Sequence, residues 1–147
     1  MMNRVTFVFA ALALFLSPAK AQEKPSSGCD HHRQDSLIVT HAEVPLYPPL
    51  AVQAHLSGTV DIRITVKGGA VVTADPVPGA NLLLSMAAQK NVQTWGFASQ
   101  SYGDFCVRYV YELDKQEGNG PSNSRVEIRF PDSVRIMATP PKPIESE

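Results

Sequence analysis

No run of like charge, no internal repeat and no apolar segment of bilayer-spanning length occur in this 147-residue chain, and each absence closes off a class of protein. Thirteen Lys and Arg against fourteen Asp and Glu give a formal net charge of −1, which offers no basic footprint for nucleic acid and no polybasic face for anionic lipid. The lack of self-similarity at a period of about 20 to 50 residues excludes solenoids and propellers. Catalytic signatures are missing as well. There is no GxSxG, HExxH, P-loop or dinucleotide fingerprint, so no enzyme is expected and no cofactor is implied. Asp61 and Asp75 are expected to face each other across a hairpin, as solvated carboxylates without a cleft. With 44% hydrophobic against 18% charged residues, the composition suits one core-bearing domain.

The first twenty-one residues differ from the rest. Arg4 supplies a positive start, Val5 to Leu16 is an apolar stretch broken only by Thr6, and Ala19-Lys20-Ala21 is a small-x-small site before Gln22. This pattern predicts a secretory signal peptide over 1–21 and hence a protein carried across the inner membrane, into the periplasm. Membrane association enters only if that segment is retained. Removing it takes away Arg4 and Lys20 and leaves eleven basic against fourteen acidic residues, net −3. Export decides how the cysteines are read. Cys29 and Cys106 are an even pair without a CxxC, in a compartment where disulfides persist, so a structural bridge is expected. Closing a loop of 77 residues stabilises by about 4 to 5 kcal/mol in the chain-entropy treatment. Lipidation of Cys29 is the rival reading, but no Leu stands three residues before it.

Gln22 to about Ser36 shows no apolar period and reads as a flexible lead. Leu37-Ile38-Val39 predicts a short strand. Pro48 and Pro49 suit the first turn of a helix from Pro48 to His55. Thr59 to Val66 alternates strictly, with Val60, Ile62, Ile64 and Val66 on one side. Lys67-Gly68-Gly69 then predicts a tight hairpin and Ala70 to Val77 its return strand. Asn81 can cap a helix from Leu82 to Trp95, carried by Leu84, Ala88, Val92 and Trp95 and closed by Gly96. Phe105 to Leu113 alternates again, with Phe105, Val107, Tyr109, Tyr111 and Leu113 on one face and Cys106, Arg108, Val110 and Glu112 on the other. Asp114 to Ser124 reads as a loop, Arg125–Phe130 and Val134–Ala138 as an appended hairpin, and the tail from 139 as disordered. Together these predict an α+β domain, a small antiparallel sheet packed against two helices.

Several of these parts stand in a known order. Tyr47-Pro48 leads a helix containing Ala51, Gly58-Thr59-Val60 opens a strand, and Gly69 lies in the hairpin. Ala87-Ala88, Val92 and Trp95-Gly96-Phe97 follow, then a final aromatic strand. In this order the stretch from Tyr47 to Leu113 resembles the C-terminal domain of the TonB family of energy transducers. The resemblance implies a three-stranded antiparallel sheet with two helices, and a module that binds an extended segment of an outer-membrane transporter or other envelope protein beside its edge strand. Carried onto this sequence, the edge strand is Phe105 to Leu113. The partner-binding residues are then Tyr47, Pro48, Phe105, Val107, Arg108, Tyr109 and Tyr111, and a homodimer by edge pairing is a further possibility. Family transducers also have a long spacer, whereas some twenty-five residues lie between Ala21 and Tyr47, a reach of at most about 80 to 90 Å. The expectation therefore rests on partner binding, by β-augmentation.

Two other readings stand beside it. The appended hairpin is placed to cover that same edge, which would make the protein a disulfide-stapled structural or assembly component with no peptide ligand. Cys29, His31 and His32 carry the donor types of a small metal carrier. Trp95 and Phe97, at the end of an apolar stripe, are expected in the core.

Overall fold

The structure, a computed structural model, describes Cys29 and residues 37–115 and 122–142. The expected signal segment, the rest of the polar lead with His31 and His32, and the tail from 143 onward lie outside the described residues. Seven strands form one sheet: β1 (Val39–His41), β2 (Gly58–Lys67), β3 (Ala70–Pro76), β4 (Gly96–Phe97), β5 (Tyr102–Leu113), β6 (Ser122–Arg129) and β7 (Ser133–Thr139). The two helices are α1 (Pro49–Gln53) and α2 (Leu82–Val92). The sheet runs β1-β4-β3-β2-β5-β7-β6 and curls into a half-barrel, an α+β arrangement. Among the described residues no helix is long and apolar enough to cross a membrane.

The central strands follow from their alternation. Val60, Ile62, Ile64 and Val66 of β2 face the helices and are fully buried, beside Val107, Tyr109 and Tyr111 of β5 and Leu84, Ala88 and Val92 of α2. Gly68 and Gly69 take positive φ in the β2–β3 turn, and a Cβ on Gly69 would meet the Phe97 carbonyl oxygen at 2.5 Å. Glycine is required there twice over. Asn81 caps α2 by accepting from the Leu83 N–H at 2.9 Å.

Several expectations are corrected. The sheet has seven strands and is mixed. β1 begins at Val39, two residues later than expected, and pairs with β4, which is too short to leave a period in the sequence. α2 ends at Val92, so Gly96 is a strand residue and closes no helix. Asp75 opposes Arg63, and Asp61 is bound to Arg108, so the two aspartates do not face each other. β6 begins at Ser122, inside the expected loop, and the chain is still described through Pro140 and Pro141 to Lys142.

The C-terminal hairpin lies on the β5 edge, as the second reading expected, and the order of its two arms is what the sequence left open. β7, the second strand of that hairpin, lies against β5 and runs parallel to it, from Arg108↔Ser133 to Leu113↔Ala138, while β6 sits outside as the last strand. Composition explains this order. β7 contributes Val134, Ile136 and Ala138 to the core. β6 carries Arg125, Glu127 and Arg129 on alternate positions, and its Val126 and Ile128 are only half-buried. The more apolar strand takes the position buried by neighbours on both sides, and the charged one takes the edge.

Candidate functional site

The expected site residues fall into an aromatic core and a paired strand. Tyr47, just ahead of α1, is almost fully buried and donates its hydroxyl hydrogen to the Leu56 carbonyl at 2.6 Å. Its ring stands edge-on to Tyr111 at 5.2 Å, and Tyr111 stacks on Tyr109 at 6.4 Å. Trp95 continues the column, with centroids 6.4 Å from Tyr109 and 5.2 Å from Phe130 in the β6–β7 turn. Pro48 caps α1, and Val107 is in the core with Phe105 half-buried beside it. The structure thus brings Tyr47, Tyr109 and Tyr111 together, facing inward. Burial pushes the Tyr47 hydroxyl up to about 12 and raises those of Tyr109 and Tyr111 as well.

One residue that carries this cluster left no mark in the sequence. Asn91, on the last turn of α2, accepts from the Tyr109 hydroxyl at 2.8 Å and from the Trp95 indole N–H at 3.3 Å, and donates to the Glu43 carbonyl at 2.9 Å. It ties α2, β5 and the segment before α1 through one amide. An asparagine inside a helix has no periodic signal, so nothing in one sequence separates it from a surface residue. The Tyr111 hydroxyl is buried without a hydrogen-bond partner among the described residues.

On the outer face, Arg108 makes a two-pronged contact with Asp61, Nε to Oδ1 at 2.8 Å and Nη2 to Oδ2 at 3.0 Å. That hydrogen bonding raises the guanidinium further above its ordinary value. Cys106 also points outward and is joined to Cys29, with Cα atoms 5.7 Å apart, inside the ordinary span of a disulfide. The sulfur of Cys29 is therefore committed to that bond. Among the described residues no group of three or more His, Cys, Asp or Glu is gathered where it could hold a metal ion. A small depression between β5 and the hairpin is lined by Val110, Glu127, Arg129, Ser133, Val134 and Arg135.

The sheet edges present backbone N–H and C=O groups. The side of β5 from Arg108 to Leu113 is filled by β7. Releasing β7 would expose Val134 and Ile136, about 1.5 to 3 kcal/mol each, and break ladder hydrogen bonds of about 1 kcal/mol net apiece. The sum is about 5 to 10 kcal/mol, comparable with the whole stability of a small domain. An incoming strand of equal length would at best restore what was lost. β6 is different, for among the described residues nothing pairs with its outer side. At the other end of the sheet β1 offers three residues, and β3 meets β4 only at Ala70, so the rest of its outer side carries no strand among the described residues. Comparisons with protein-family models, curated proteins and solved structures find no match to this chain.

Proposed function

We propose that the protein is an exported, periplasmic module of the TonB C-terminal kind that binds an envelope protein or outer-membrane transporter segment by strand addition, with β6 as the receiving strand. The observation that carries this reading is the outer side of β6, unpaired among the described residues, beside a β5 filled from Arg108 to Leu113. The ordered parts from Tyr47 to Leu113 supply the resemblance, and the added hairpin moves the accepting edge outward by two strands. In this reading Tyr47, Pro48, Phe105, Val107, Tyr109 and Tyr111 hold the platform rigid and do not touch the partner. Backbone groups supply the affinity, so isolated peptides bind at roughly micromolar dissociation constants or weaker, with little dependence on salt. NMR titration of the disulfide-intact protein with extended peptides from periplasm-facing transporter N-termini tests it. Shifts concentrated on Arg125 to Arg129 are expected, and shifts centred on Arg108 to Leu113 would overturn the choice of edge.

A second reading is favoured by the burial of Val134, Ile136 and Ala138, which makes the hairpin an integral part of the core. In it the protein is a disulfide-stapled structural or assembly component of the envelope with no peptide ligand. The same titration then gives no response with any extended segment.

A further inference from the structure

β6 carries its charges in a pattern that reads the same from a second copy. Arg125, Glu127 and Arg129 share the outer face, opposite Met137, Arg135 and Ser133 of β7, and Arg125 holds Glu127 at 2.7 Å within the strand. Val126 and Ile128 point to the core side and are only half-buried, so the apolar face of the half-barrel is unfinished at this strand. We infer that the resting occupant of this edge is a second copy of the chain, joined through antiparallel β6–β6 pairing that sets Glu127 of each protomer against an arginine of its partner. The inference rests on β6 being the accepting edge and names what holds it before an envelope segment arrives.

The charges restrict the register. If the two sheets continue with their apolar faces on one side, a two-fold axis must pass through a residue opposed to itself, and directly opposed residues share a face. An axis at Glu127 sets Glu127 against Glu127 and Arg125 against Arg129, which is repulsive throughout. An axis at Arg125 sets arginine on arginine. Axes at Val126 and at Ile128 instead give two Arg–Glu pairs, Arg125 with Glu127 in the first and Glu127 with Arg129 in the second. Either one also puts an apolar residue against its own copy on the core side. A partner segment must displace this strand, so dimerisation and partner binding exclude each other. The arrangement also covers an edge that would otherwise template unspecific pairing.

The test is sedimentation equilibrium of the exported, disulfide-intact protein over the micromolar to millimolar range, with circular dichroism confirming the fold of every variant. A concentration-dependent dimer is expected. Glu127→Arg turns both cross-strand pairs repulsive and should weaken it roughly ten-fold to a hundred-fold. Mixing E127R with R125E should restore a heterodimer if the axis lies at Val126, and mixing it with R129E if the axis lies at Ile128. R125E and R129E each lower the positive charge beside Arg135, so they provide folded single variants even if E127R loosens the hairpin. A monomer at every concentration, a dimer indifferent to all three reversals, or a failure of both mixtures overturns the inference. A monomer whose β6 still responds to an extended peptide removes the second copy and leaves the edge reading intact. A monomer with no response to peptides removes both.

Discussion

On one side of β5 the strand β2 runs antiparallel from Lys67↔Tyr102 to Gly58↔Tyr111, whereas on the other β7 runs parallel and only from Arg108 to Leu113. The two flanks bury side chains equally well. Ile62 of β2 and Ile136 of β7 are both almost completely inaccessible, as are Val60 and Val134. They differ in how the chain reaches them. β2 is backed by β3 through a two-glycine turn and by α2, while among the described residues the strand behind β7 is β6, an edge strand. Burial alone therefore says that β7 is core, and connectivity says that it is the flank more easily lost.

Truncation after Leu113 is the harshest way to break this comparison. It removes β6 and β7 and exposes the β5 edge, and it should cost about 5 kcal/mol or more, unfolding the domain as seen by circular dichroism. A truncated chain that stays folded and binds extended peptides would make the hairpin a removable cover. The Cys29–Cys106 bond comes next. Its loss in Cys29→Ser/Cys106→Ser should cost up to about 4 to 5 kcal/mol in urea unfolding. Alkylation without reductant should label neither cysteine by intact mass, and two labelled thiols in the protein isolated from its native source would contradict the bond.

Ile62→Ala and Ile136→Ala sharpen the comparison directly. Each should cost about 2 to 5 kcal/mol, because each deletes a fully buried side chain. Hydrogen exchange should nevertheless open β6 and β7 before β2 and β5, since stability is distributed by cooperative unit and not by burial alone. Asn91→Ala is expected to cost about 1 to 3 kcal/mol, leaving the Tyr109 and Trp95 donors unpaired. The smallest effect has the opposite sign. Tyr111, set between Gly58 of β2 and Ile136 of β7, buries a hydroxyl with no partner among the described residues. Tyr111→Phe should thus be neutral or stabilising by about 1 kcal/mol in thermal unfolding.

Much of the fold could be read from residues one at a time. The alternation from Val60 to Val66 and from Phe105 to Leu113 assigns faces that the burial bears out, as do the Gly68-Gly69 turn, the Asn81 cap and the inward Trp95 and Phe97. Tyr47 was legible as part of an ordered series but not as a buried ring, because a tyrosine on a proline-rich turn suits core and surface alike. Of the candidate site, the strand was found and the hairpin was expected as a cover for its edge, but which arm of the hairpin lies against it was not. Yet the sequence held a usable sign: Val134 to Ala138 is the more apolar arm of the hairpin, and Arg125, Glu127 and Arg129 mark the other as the edge.

By itself the sequence determined every strand but β4, both helices, the inward faces of β2 and β5, and which two cysteines are available to each other. These depend on short-range periods, turn chemistry and composition, all of which are written locally along the chain. Only the tertiary structure decided that β7 and not β6 lies against β5, that Asp61 meets Arg108, and that Asn91 gathers Tyr109, Trp95 and Glu43. A period of two assigns a residue to a face but names no neighbour. The choice among neighbours is made by the total area buried and the polar groups satisfied when the whole chain closes, and those sums exist only in three dimensions.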